Sequence, residues 1–283
     1  MNIELKTLHN ISIDEIADSF LDAFSDYDMV LDKTKLLDML KRRGADLSLS
    51  VGAFDNGRLI SFIINGIGTF DGITTAYDTG TGTVKQYRGM GLTDRLFNFS
   101  LPLLREAGVR QYLLEVLQHN APAVKIYRRQ GFDITREFNC YTKDRDFRPL
   151  SSPVTGIEIR PVSVDCLTSA VDAFDFNPSW QNSLQSIYRH PEAFSCFGAF
   201  AGAEQVGFCA TESAYGDLSL IAVKPDFRRK GIGRMLLDCM MECDKDASLR
   251  AINVDSSSPA TNAFLKSCGF TLSCTQFEML RPL

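Results

Sequence analysis

Apolar and polar positions along the chain change rhythm repeatedly, from alternation at every second residue to spacings of three and four. The first rhythm is typical of β-strands and the second of amphipathic helices. In the first half of the chain they predict strands at 3–8, 47–55, 59–66, 74–84, 111–116 and 134–141, and helices at 13–24, 36–43, 92–107 and 122–130. Strands and helices mixed in this order predict an α/β fold built on a mixed sheet.

Glycines mark several of the predicted boundaries. Asp55-Asn56-Gly57-Arg58 separates two predicted strands, and an Asn-Gly pair in this setting predicts a tight hairpin. Gly108 and Gly131 each follow a predicted helix, at the place where glycine commonly ends a helix in the left-handed conformation.

The second half of the chain repeats landmarks of the first in the same order. The repeat predicts two related domains, 1–150 and 151–283, and the stretch 148–156, with two prolines, suits the link between them. The paired landmarks are Ile3-Glu4-Leu5 with Ile157-Glu158-Ile159, Asp22-Ala23-Phe24 with Asp172-Ala173-Phe174, Gly52-Ala53-Phe54 with Gly198-Ala199-Phe200, Gly89-Met90-Gly91 with Gly231-Ile232-Gly233, and Gly131-Phe132 with Gly269-Phe270.

Composition narrows the class of protein. The chain has 283 residues, 45% of them hydrophobic and 23% charged, which is ordinary for a folded globular protein. A net charge of -5 has the wrong sign for a protein that binds nucleic acid or an anionic membrane. The N-terminus lacks a basic region followed by an apolar stretch, so we expect a cytoplasmic protein. Eight cysteines without a C-x-x-C pair and three scattered histidines favour reduced thiols and no metal site.

Candidate chemistry first appears in the glycine-rich turn 86–93, between a predicted strand and a predicted helix. Glycines let backbone amides approach a ligand closely, and the N-terminus of a helix attracts anions, so a pyrophosphate would suit this turn. The turn lacks the third glycine of a dinucleotide fingerprint and the Gly-Lys-Ser/Thr ending of a P-loop. Hydride transfer and nucleotide hydrolysis are therefore disfavoured. Arg228-Arg229-Lys230-Gly231-Ile232-Gly233 offers a similar turn in the second half.

The pattern around this turn resembles the acetyl-CoA-binding core of the GNAT N-acetyltransferase superfamily. The resemblance consists of a Q/R-x-x-G-x-G/A turn after a strand, then a strand, an Asn, a short helix with a Tyr, and a closing Gly-Phe. It covers nearly all of the first half and recurs in part in the second, so the chain resembles two GNAT domains in tandem. The residues that carry it are Gln86, Gly89, Gly91, Asn120, Tyr127, Gly131 and Phe132, and in the second half Arg228, Gly231, Gly233, Gly269 and Phe270.

The resemblance implies that acetyl-CoA is the cosubstrate. Its pantetheine arm would lie between two parallel strands that splay apart, 74–84 and 111–116, and Arg88 would add a charge to the pyrophosphate site. Asn120 is well placed as a helix N-cap, and the resemblance also gives it a hydrogen bond to pantetheine. The expected cofactor-binding residues are Thr83, Val84, Gln86, Arg88, Gly89, Met90, Gly91, Leu92, Thr93, Asn120 and Tyr127.

The implied reaction is direct acetyl transfer to a primary amine, without a covalent enzyme intermediate. Tyr127 would protonate the departing thiolate, and a backbone amide near Val84 would polarise the thioester carbonyl. Asp78 and Glu115 are both candidates for the base that deprotonates the amine, and the sequence does not choose between them. A non-catalytic acyl-CoA-binding or sensing protein is the alternative.

The second half lacks this chemistry. Leu265 stands at the position of Tyr127, and Ser258 at that of Asn120, when both are counted back from Gly269. We therefore expect a degenerate second domain that helps to shape the acceptor site. The partner is expected to be a small-molecule or peptide amine, with no nucleic acid or membrane involved, and the protein is a possible homodimer. The identity of the amine is not encoded in any pattern of the sequence.

Overall fold

A computed structural model describes residues 3–25, 32–144, 154–243 and 248–283, with the backbone alone at 169–172 and 243. The chain divides into two compact units. The first unit comprises Met1–Val116, Asn120–Thr135 and Glu278–Leu283, and the second comprises Leu117–His119 and Arg136–Phe277. The domain cut predicted near residue 150 lies in 145–153, outside the described residues, and stays a prediction.

The element order of the first half follows the sequence pattern closely. Its elements are β1 (Ile3–Thr7), α1 (Ile13–Ala23), α2 (Lys33–Arg43), β2 (Val51–Asp55), β3 (Arg58–Phe70), β4 (Ile73–Thr83), α3 (Leu92–Glu106), β5 (Gln111–Leu117), α4 (Ala121–Arg129) and β6 (Asp133–Lys143). The predicted strand at 47–55 begins later, because Asp46 caps a turn that occupies 47–49, with its side chain accepting from Ser48 N at 2.8 Å. The fold class, a mixed α/β sheet, is confirmed.

The second half repeats the arrangement, with shorter helices at the places of α2 and α3. Its elements are β7 (Ile157–Pro161), α5 (Leu184–Arg189), β8 (Phe194–Ala201), β9 (Glu204–Glu212), β10 (Asp217–Val223), α6 (Ile232–Cys243), β11 (Leu249–Asp255), α7 (Pro259–Ser267) and β12 (Thr271–Pro282). A ten-residue 3₁₀ segment, Val164–Ala173, follows β7 where the first half has the α-helix α1.

The last strand of the first half, β6, and the last strand of the second half, β12, do not pair with the strands that precede them in the same half. In the first unit the strand order is β1-β2-β3-β4-β5-β12, and the terminal residue Leu283 donates its amide to Arg110 O at 2.8 Å. In the second unit the order is β12-β6-β11-β10-β9-β8-β7, and β6 pairs antiparallel with β11. The predicted strand 134–141 therefore lies mostly in the second unit, since strand pairing depends on backbone groups that any extended segment can supply.

Local sequence explains how the first unit presents its helices. Ser12 caps α1 by accepting from Glu15 N at 3.2 Å, and the apolar face of α1 packs on β3 through Ile16 and Phe20. Asn56 and Gly57 both take left-handed dihedrals, so the predicted hairpin between β2 and β3 is confirmed. In the described residues no helix is both long and apolar enough to cross a membrane.

Two parallel strands of the first unit part from each other midway. The ladder between β4 and β5 consists of Thr75↔Gln111, Ala76↔Tyr112 and Tyr77↔Leu113, after which β4 pairs only with β3. A bulge at Thr79, opposite the step from Ile64 to Asn65, bends β4 at the same place. The splay that the resemblance implied is present, since the ladder between β4 and β5 ends at Tyr77 and Leu113.

Candidate active site

Asp78 and Tyr127 meet where β4 and β5 part. Asp78 is the first residue of β4 beyond the shared ladder, and Tyr127 projects from α4. The Tyr127 hydroxyl donates to Asp78 Oδ2 at 3.2 Å, and Thr81 Oγ1 donates to the same oxygen at 2.8 Å. Asp78 Oδ1 is buried and has no hydrogen-bond partner within the described residues. The structure thus brings the predicted acid and one of the two predicted bases into direct contact.

The environment of Asp78 favours its protonated form. Burial of the carboxyl raises the pKa of Asp78 from its usual value near 3.8 to about 6. Hydrogen bonds from Thr81 and Tyr127 and the charge of Arg43 act in the opposite direction, so burial outweighs them. A carboxyl that titrates near pH 6 changes its charge close to neutral pH.

Glu115 lies on the other face of the sheet. Tyr77 and Asp78 are successive residues of an extended strand, so their side chains point to opposite faces. The Tyr77 hydroxyl donates to Glu115 Oε2 at 3.0 Å, which places Glu115 on the face of Tyr77. Burial and the adjacent Glu115 carboxylate together raise the pKa of Tyr77 well above its usual value, so this phenol remains a proton donor. The two candidate bases are therefore separated by the sheet.

Sequence reasoning missed several polar groups around the gap. Tyr77 and Tyr112 are almost fully buried, and in the sequence they read as ordinary apolar strand positions. Tyr112 donates to Asn65 Oδ1, and Asn65 is the residue of β3 that pairs with Asp78. Arg43, at the end of α2, donates to Thr79 O at 3.0 Å. These partners are distant in sequence, so no local pattern could have indicated them.

The glycine-rich turn forms an open cradle at the start of α3. Gly89 and Gly91 have φ values of +78° and +70°, and a Cβ added to either glycine would meet no atom within 4 Å. Gly91 is the N-cap of α3 and contributes no side-chain cap, so the amides of the first turn are not capped by a side chain. Met90 is exposed and Leu92 is buried beneath the turn. Amides at such a turn can bond an anion, and binding of a pyrophosphate here stays a prediction.

Arg88 bonds to the backbone on both sides of the turn, and its expected charge contribution to the pyrophosphate site stays a prediction. Its Nε donates to Thr83 O at 3.3 Å and its Nη2 donates to Ala23 O at 2.9 Å, so the guanidinium ties the turn to the ends of β4 and α1. Gln86, by contrast, is exposed within a 3₁₀ turn, Lys85–Tyr87. The Thr93 side chain is half-buried in the first turn of α3.

The amide of Val84 is also committed elsewhere. It donates to Ile60 O at 2.9 Å, which continues the pairing of β4 with β3. The Val84 amide therefore already has an acceptor within β3, and a backbone amide near Val84 that polarises the thioester carbonyl stays a prediction. Thr83, one residue earlier, has its hydroxyl within 2.7 Å of Ser61 Oγ.

Asn120 caps α4. Its side chain accepts from Ala123 N at 3.3 Å, and Pro122 lies in the first turn of the helix. The capping role is therefore present, and a contact with pantetheine stays a prediction. On α4, Tyr127 lies seven residues after Asn120, close to two helical turns, and its ring packs edge-on against Phe132.

The second unit retains the backbone plan of this region. Arg228 donates from Nε to Val223 O at 2.9 Å and from Nη2 to Ala173 O at 3.2 Å, as Arg88 does to Thr83 and Ala23. The helix after each turn begins four residues beyond the arginine, at Leu92 and at Ile232.

This equivalence corrects the glycine pairing predicted from the sequence by two residues. Gly91 corresponds to Gly231 and not to Gly233, and Gly89 corresponds to Arg229, which has a φ of +63°. The Q/R-x-x-G-x-G/A pattern then begins at Arg88 and ends at Thr93 in the first unit. The first unit thus departs from the family pattern at its last position, and the second unit matches it with Gly233.

Leucines occupy the two positions equivalent to Asp78 and Tyr127 where β10 and β11 part. These strands share a single ladder pair, Asp217↔Arg250, and a bulge at Ser219 corresponds to that at Thr79. Leu218 takes the place of Asp78, and Leu265 takes that of Tyr127; both belong to one buried cluster. Asp217, the first residue of β10, forms a two-bond ion pair with Arg250 at 2.6 and 2.9 Å.

Side chains of the second unit line the gap between β10 and β11. The pocket there is lined by both strands, by Phe174 to Phe176 and by α7. Asp175 links the glycine turn to α7, since it pairs with Arg228 at 2.8 Å and accepts from Thr261 Oγ1 at 2.9 Å. Across the described residues, no group of three or more His, Cys, Asp or Glu is arranged to hold a metal ion.

Comparisons with known proteins agree with this architecture. Residues 13–132 match the model of the acetyltransferase (GNAT) family, and residues 192–272 match that of the acetyltransferase (GNAT) domain. A curated relative is N-alpha-acetyltransferase 30 of Schizosaccharomyces pombe, 33% identical over 81 residues. That match covers 28% of this chain and 54% of the relative, so this chain spans only about half of the relative's length.

Solved structures share the fold of the whole chain at low identity. A tandem GNAT protein from the clavulanic acid biosynthesis pathway has a TM-score of 0.75 at 15% identity, with 99% of this chain and 98% of that chain covered. A GCN5-related N-acetyltransferase from Sphaerobacter thermophilus has a TM-score of 0.72 at 16% identity, with 99% and 95% covered. Family models in both halves and a tandem neighbour lead to one conclusion: the chain belongs to the GNAT acetyltransferase family and carries two GNAT domains in tandem.

Proposed function

We propose that the protein transfers the acetyl group of acetyl-CoA to a primary amine, and that the first unit performs the reaction. The observation that carries the proposal is the arrangement at the gap between β4 and β5. A phenol and a carboxyl, Tyr127 and Asp78, lie on one face of the sheet, and a second carboxylate, Glu115, lies on the other. The second unit has leucines at the first two of these positions.

The gap and the glycine turn together suit acetyl-CoA. Beyond Tyr77, the edge of β4 that faces β5 has no strand paired to it, so its backbone groups can bond an extended amide chain such as pantetheine. The pyrophosphate would rest on the amides of 89–93, at the positive end of the α3 dipole. The contribution of Arg88 is to hold this turn in place, because its guanidinium donates to Thr83 O and Ala23 O.

The positions of the polar groups suggest which one serves which atom. Acetyl transfer needs a base for the attacking nitrogen and an acid for the departing sulfur, and these atoms lie on different sides of the carbonyl carbon. Tyr127 and Asp78 share a hydrogen bond, so they serve the same side, whereas Glu115 lies on the opposite face. We therefore assign the base to Glu115, the acid to Tyr127, and the orientation of the Tyr127 hydroxyl to Asp78.

The proton balance of the step follows from these roles. An amine with a pKa above neutral is mostly an ammonium ion, so Glu115 first accepts a proton from it, directly or through water. Glu115 passes this first proton to solvent. The neutral nitrogen then attacks the thioester carbonyl, gives its second proton to Glu115, and the carbon–sulfur bond breaks as the amide forms. Tyr127 gives its proton to the thiolate, so coenzyme A leaves as a thiol, and the phenolate regains a proton from Glu115 through water; the net result is one proton released to solvent. No residue forms a covalent intermediate in this scheme.

The acceptor is proposed as a class. The named activity of the fission yeast relative makes the α-amine of a peptide the first acceptor to test. An α-amine has a pKa of about 7.7 to 8.0, against about 10.4 for a lysine side chain, so a carboxylate base removes its proton more easily. Small polyamines and amino sugars are the competing acceptors.

An amine panel tests the proposal. The full-length protein is mixed with acetyl-CoA and, in turn, with peptides bearing a free α-amine, a peptide acetylated at the N-terminus that carries one lysine, a polyamine and an amino sugar. Release of thiol is followed, and the products are checked by mass. We expect turnover on at least one amine and its loss in Tyr127→Phe. Tight binding of acetyl-CoA without turnover on any amine would instead show a non-catalytic acyl-CoA-binding protein.

We propose further that the second unit carries no second reaction. Leu265 and Leu218 occupy the places of the acid and its partner, and neither can exchange a proton. Replacing Leu265 by tyrosine in a Tyr127→Phe protein should restore no turnover. Recovery of activity in that double variant would contradict the proposal.

A further inference from the structure

Cys140 and Cys274 lie on neighbouring strands of the second unit. Cys140 lies on β6 and Cys274 on β12. Ser273 Oγ donates to Cys140 O at 3.0 Å, and Gln276 Nε2 donates to Cys140 Sγ at 3.4 Å. Cys274 is thus flanked on both sides by residues that bond to Cys140. Gln276 and Cys274 are two residues apart on an extended strand, so both share the face on which the Cys140 thiol lies.

The two thiols differ in their surroundings. Cys140 is 2% exposed, whereas Cys274 is half-buried and within reach of solvent. The neighbouring Cys140 thiol, Ser273 and, to the smallest extent, His119 lower the pKa of the Cys274 thiol, although its partial burial acts against them. The neighbouring Cys274 thiol and burial raise the pKa of Cys140, whose thiol donates to Asn253 Oδ1 at 3.9 Å. One thiol therefore ionises easily and its neighbour keeps its proton.

We propose that Cys274 and Cys140 form a peroxide-reactive dithiol, in which Cys274 is attacked first and Cys140 resolves the product into a reversible disulfide. This inference is independent of the acetyl transfer proposed above. Cys274 is half-exposed and ionisable, so it can react with peroxide to form a sulfenic acid. The buried Cys140 thiol lies on the same face, so it can attack this sulfenic acid without movement of the chain.

The chemistry balances with hydrogen peroxide as the oxidant. The Cys274 thiolate attacks one peroxide oxygen, the oxygen–oxygen bond breaks, and Cys274 becomes a sulfenic acid while hydroxide leaves and is protonated. Cys140 then attacks the Cys274 sulfur, a sulfur–sulfur bond forms and water leaves. Two thiols have lost two electrons, and one peroxide has become two waters.

Strand geometry permits the disulfide. Facing residues on neighbouring antiparallel strands have Cα atoms about 4.5 to 5.5 Å apart, and disulfides span about 4.4 to 6.8 Å. Two buried cysteines of the second unit are less suited to the reaction. Burial raises the pKa of both Cys196 and Cys268, so each remains largely a thiol at neutral pH.

The test uses the full chain and hydrogen peroxide. Folded protein is treated with a small molar excess at pH 7, remaining thiols are blocked with N-ethylmaleimide, and the digested peptides are analysed by mass without reduction. We expect a linked pair of peptides containing Cys140 and Cys274, a mass loss of two hydrogens, and complete reversal by dithiothreitol. The oxidised protein should unfold at a higher denaturant concentration, because the bond closes the loop from 140 to 274.

Single variants separate the two roles. Cys140→Ser should leave Cys274 as a sulfenic acid that dimedone traps, and Cys274→Ser should leave Cys140 unreacted. Cys196→Ser, which changes a buried cysteine on β8, is the matched control and should still form the linked pair. Absence of the linked peptides in the wild-type protein, or faster oxidation of another cysteine, would overturn the proposal.

Discussion

The two units place different chemistry on the same backbone bend. In the first unit Asp78 and Tyr127 share a hydrogen bond beside the bulge at Thr79. In the second, Leu218 and Leu265 occupy these places beside the bulge at Ser219, and they are 4% and 1% exposed. Both members of the pair are apolar there, which is the combination that leaves no unpaired polar group. The comparison indicates that Asp78 and Tyr127 act together and that the bend itself needs neither.

The glycine turns show the opposite behaviour. Arg88 and Arg228 make the same pair of backbone hydrogen bonds in their own units. The second unit lacks the proposed acid but keeps the arginine and both of its hydrogen bonds. This arginine therefore stabilises the backbone of the turn in both units. The two comparisons together separate the residues that hold the GNAT backbone from those that we propose to carry the reaction.

The largest expected effect comes from removing the phenol that the second unit lacks. Tyr127→Phe should lower kcat by about 10² to 10⁴-fold, the usual contribution of a positioned general acid, with the affinity for acetyl-CoA nearly unchanged. Steady-state kinetics and calorimetric titration measure the two quantities. Tyr188→Phe alters an exposed tyrosine of the second unit and should change neither. Equal turnover in Tyr127→Phe and wild-type protein would assign Tyr127 to the core.

A second pair of variants separates the two carboxyls. Glu115→Gln should lower kcat/KM at pH 7 by about 10²-fold, and the loss should shrink as the pH rises and more acceptor amine is already neutral. Asp78→Asn should reduce the rate by about 10-fold, because an amide still accepts a hydrogen bond from Tyr127 but without the charge. A pH series from 6 to 9.5 distinguishes them. The assignment of the base would be reversed if Asp78→Asn, and not Glu115→Gln, showed the loss that recovers at high pH.

The glycine turns provide a matched test of acetyl-CoA binding. Gly91→Val places a branched side chain at the open cradle and should weaken acetyl-CoA binding at least about 10-fold, or about 1.4 kcal/mol. Gly231→Val imposes similar strain at a φ of +92° and should change the affinity much less. Calorimetry gives the affinities, and thermal melts confirm that both variants fold. Loss of binding in Gly231→Val alone would move the coenzyme site to the second unit.

The last expected effect concerns stability. The folded-state pKa of Asp78 is raised to about 6, so between pH 3.8 and 6 the folded protein binds more protons than the unfolded chain. This contribution to stability is complete below the unfolded pKa and is lost as the pH rises through about 6. The effect of Asp78→Asn on the free energy of unfolding should therefore be more favourable at pH 7.5 than at pH 4 by about 2 kcal/mol. Denaturant melts at both pH values measure it, and a gain confined to pH 4 would show that the sign is wrong.

Patterns of residues close together in the sequence were enough to predict the helices and strands and to identify the family. The alternation of strands and helices, the Asn56-Gly57 hairpin and the repeated Gly-Phe landmarks depend on residues close together in sequence, and the structure confirms them. The GNAT resemblance likewise consists of short motifs in a fixed order. Counting back from Gly269 also identified Leu265 as the counterpart of Tyr127. This count works because the spacing between a residue of α7 and the glycine that ends the helix is a local property of the sequence.

What the sequence left open was decided by contacts between distant segments. The partner of the Tyr127 hydroxyl, the face on which Glu115 lies and the acceptor of the Val84 amide all depend on which strands lie side by side. The same holds for the glycine pairing, which moved by two residues once the helix starts were known. The sequence by itself therefore determined the family, the repeat and the candidate residues. Only the tertiary structure decided how these residues pair and which terminal strand completes each unit, because backbone and side-chain hydrogen bonds between strands are made without regard to distance along the chain.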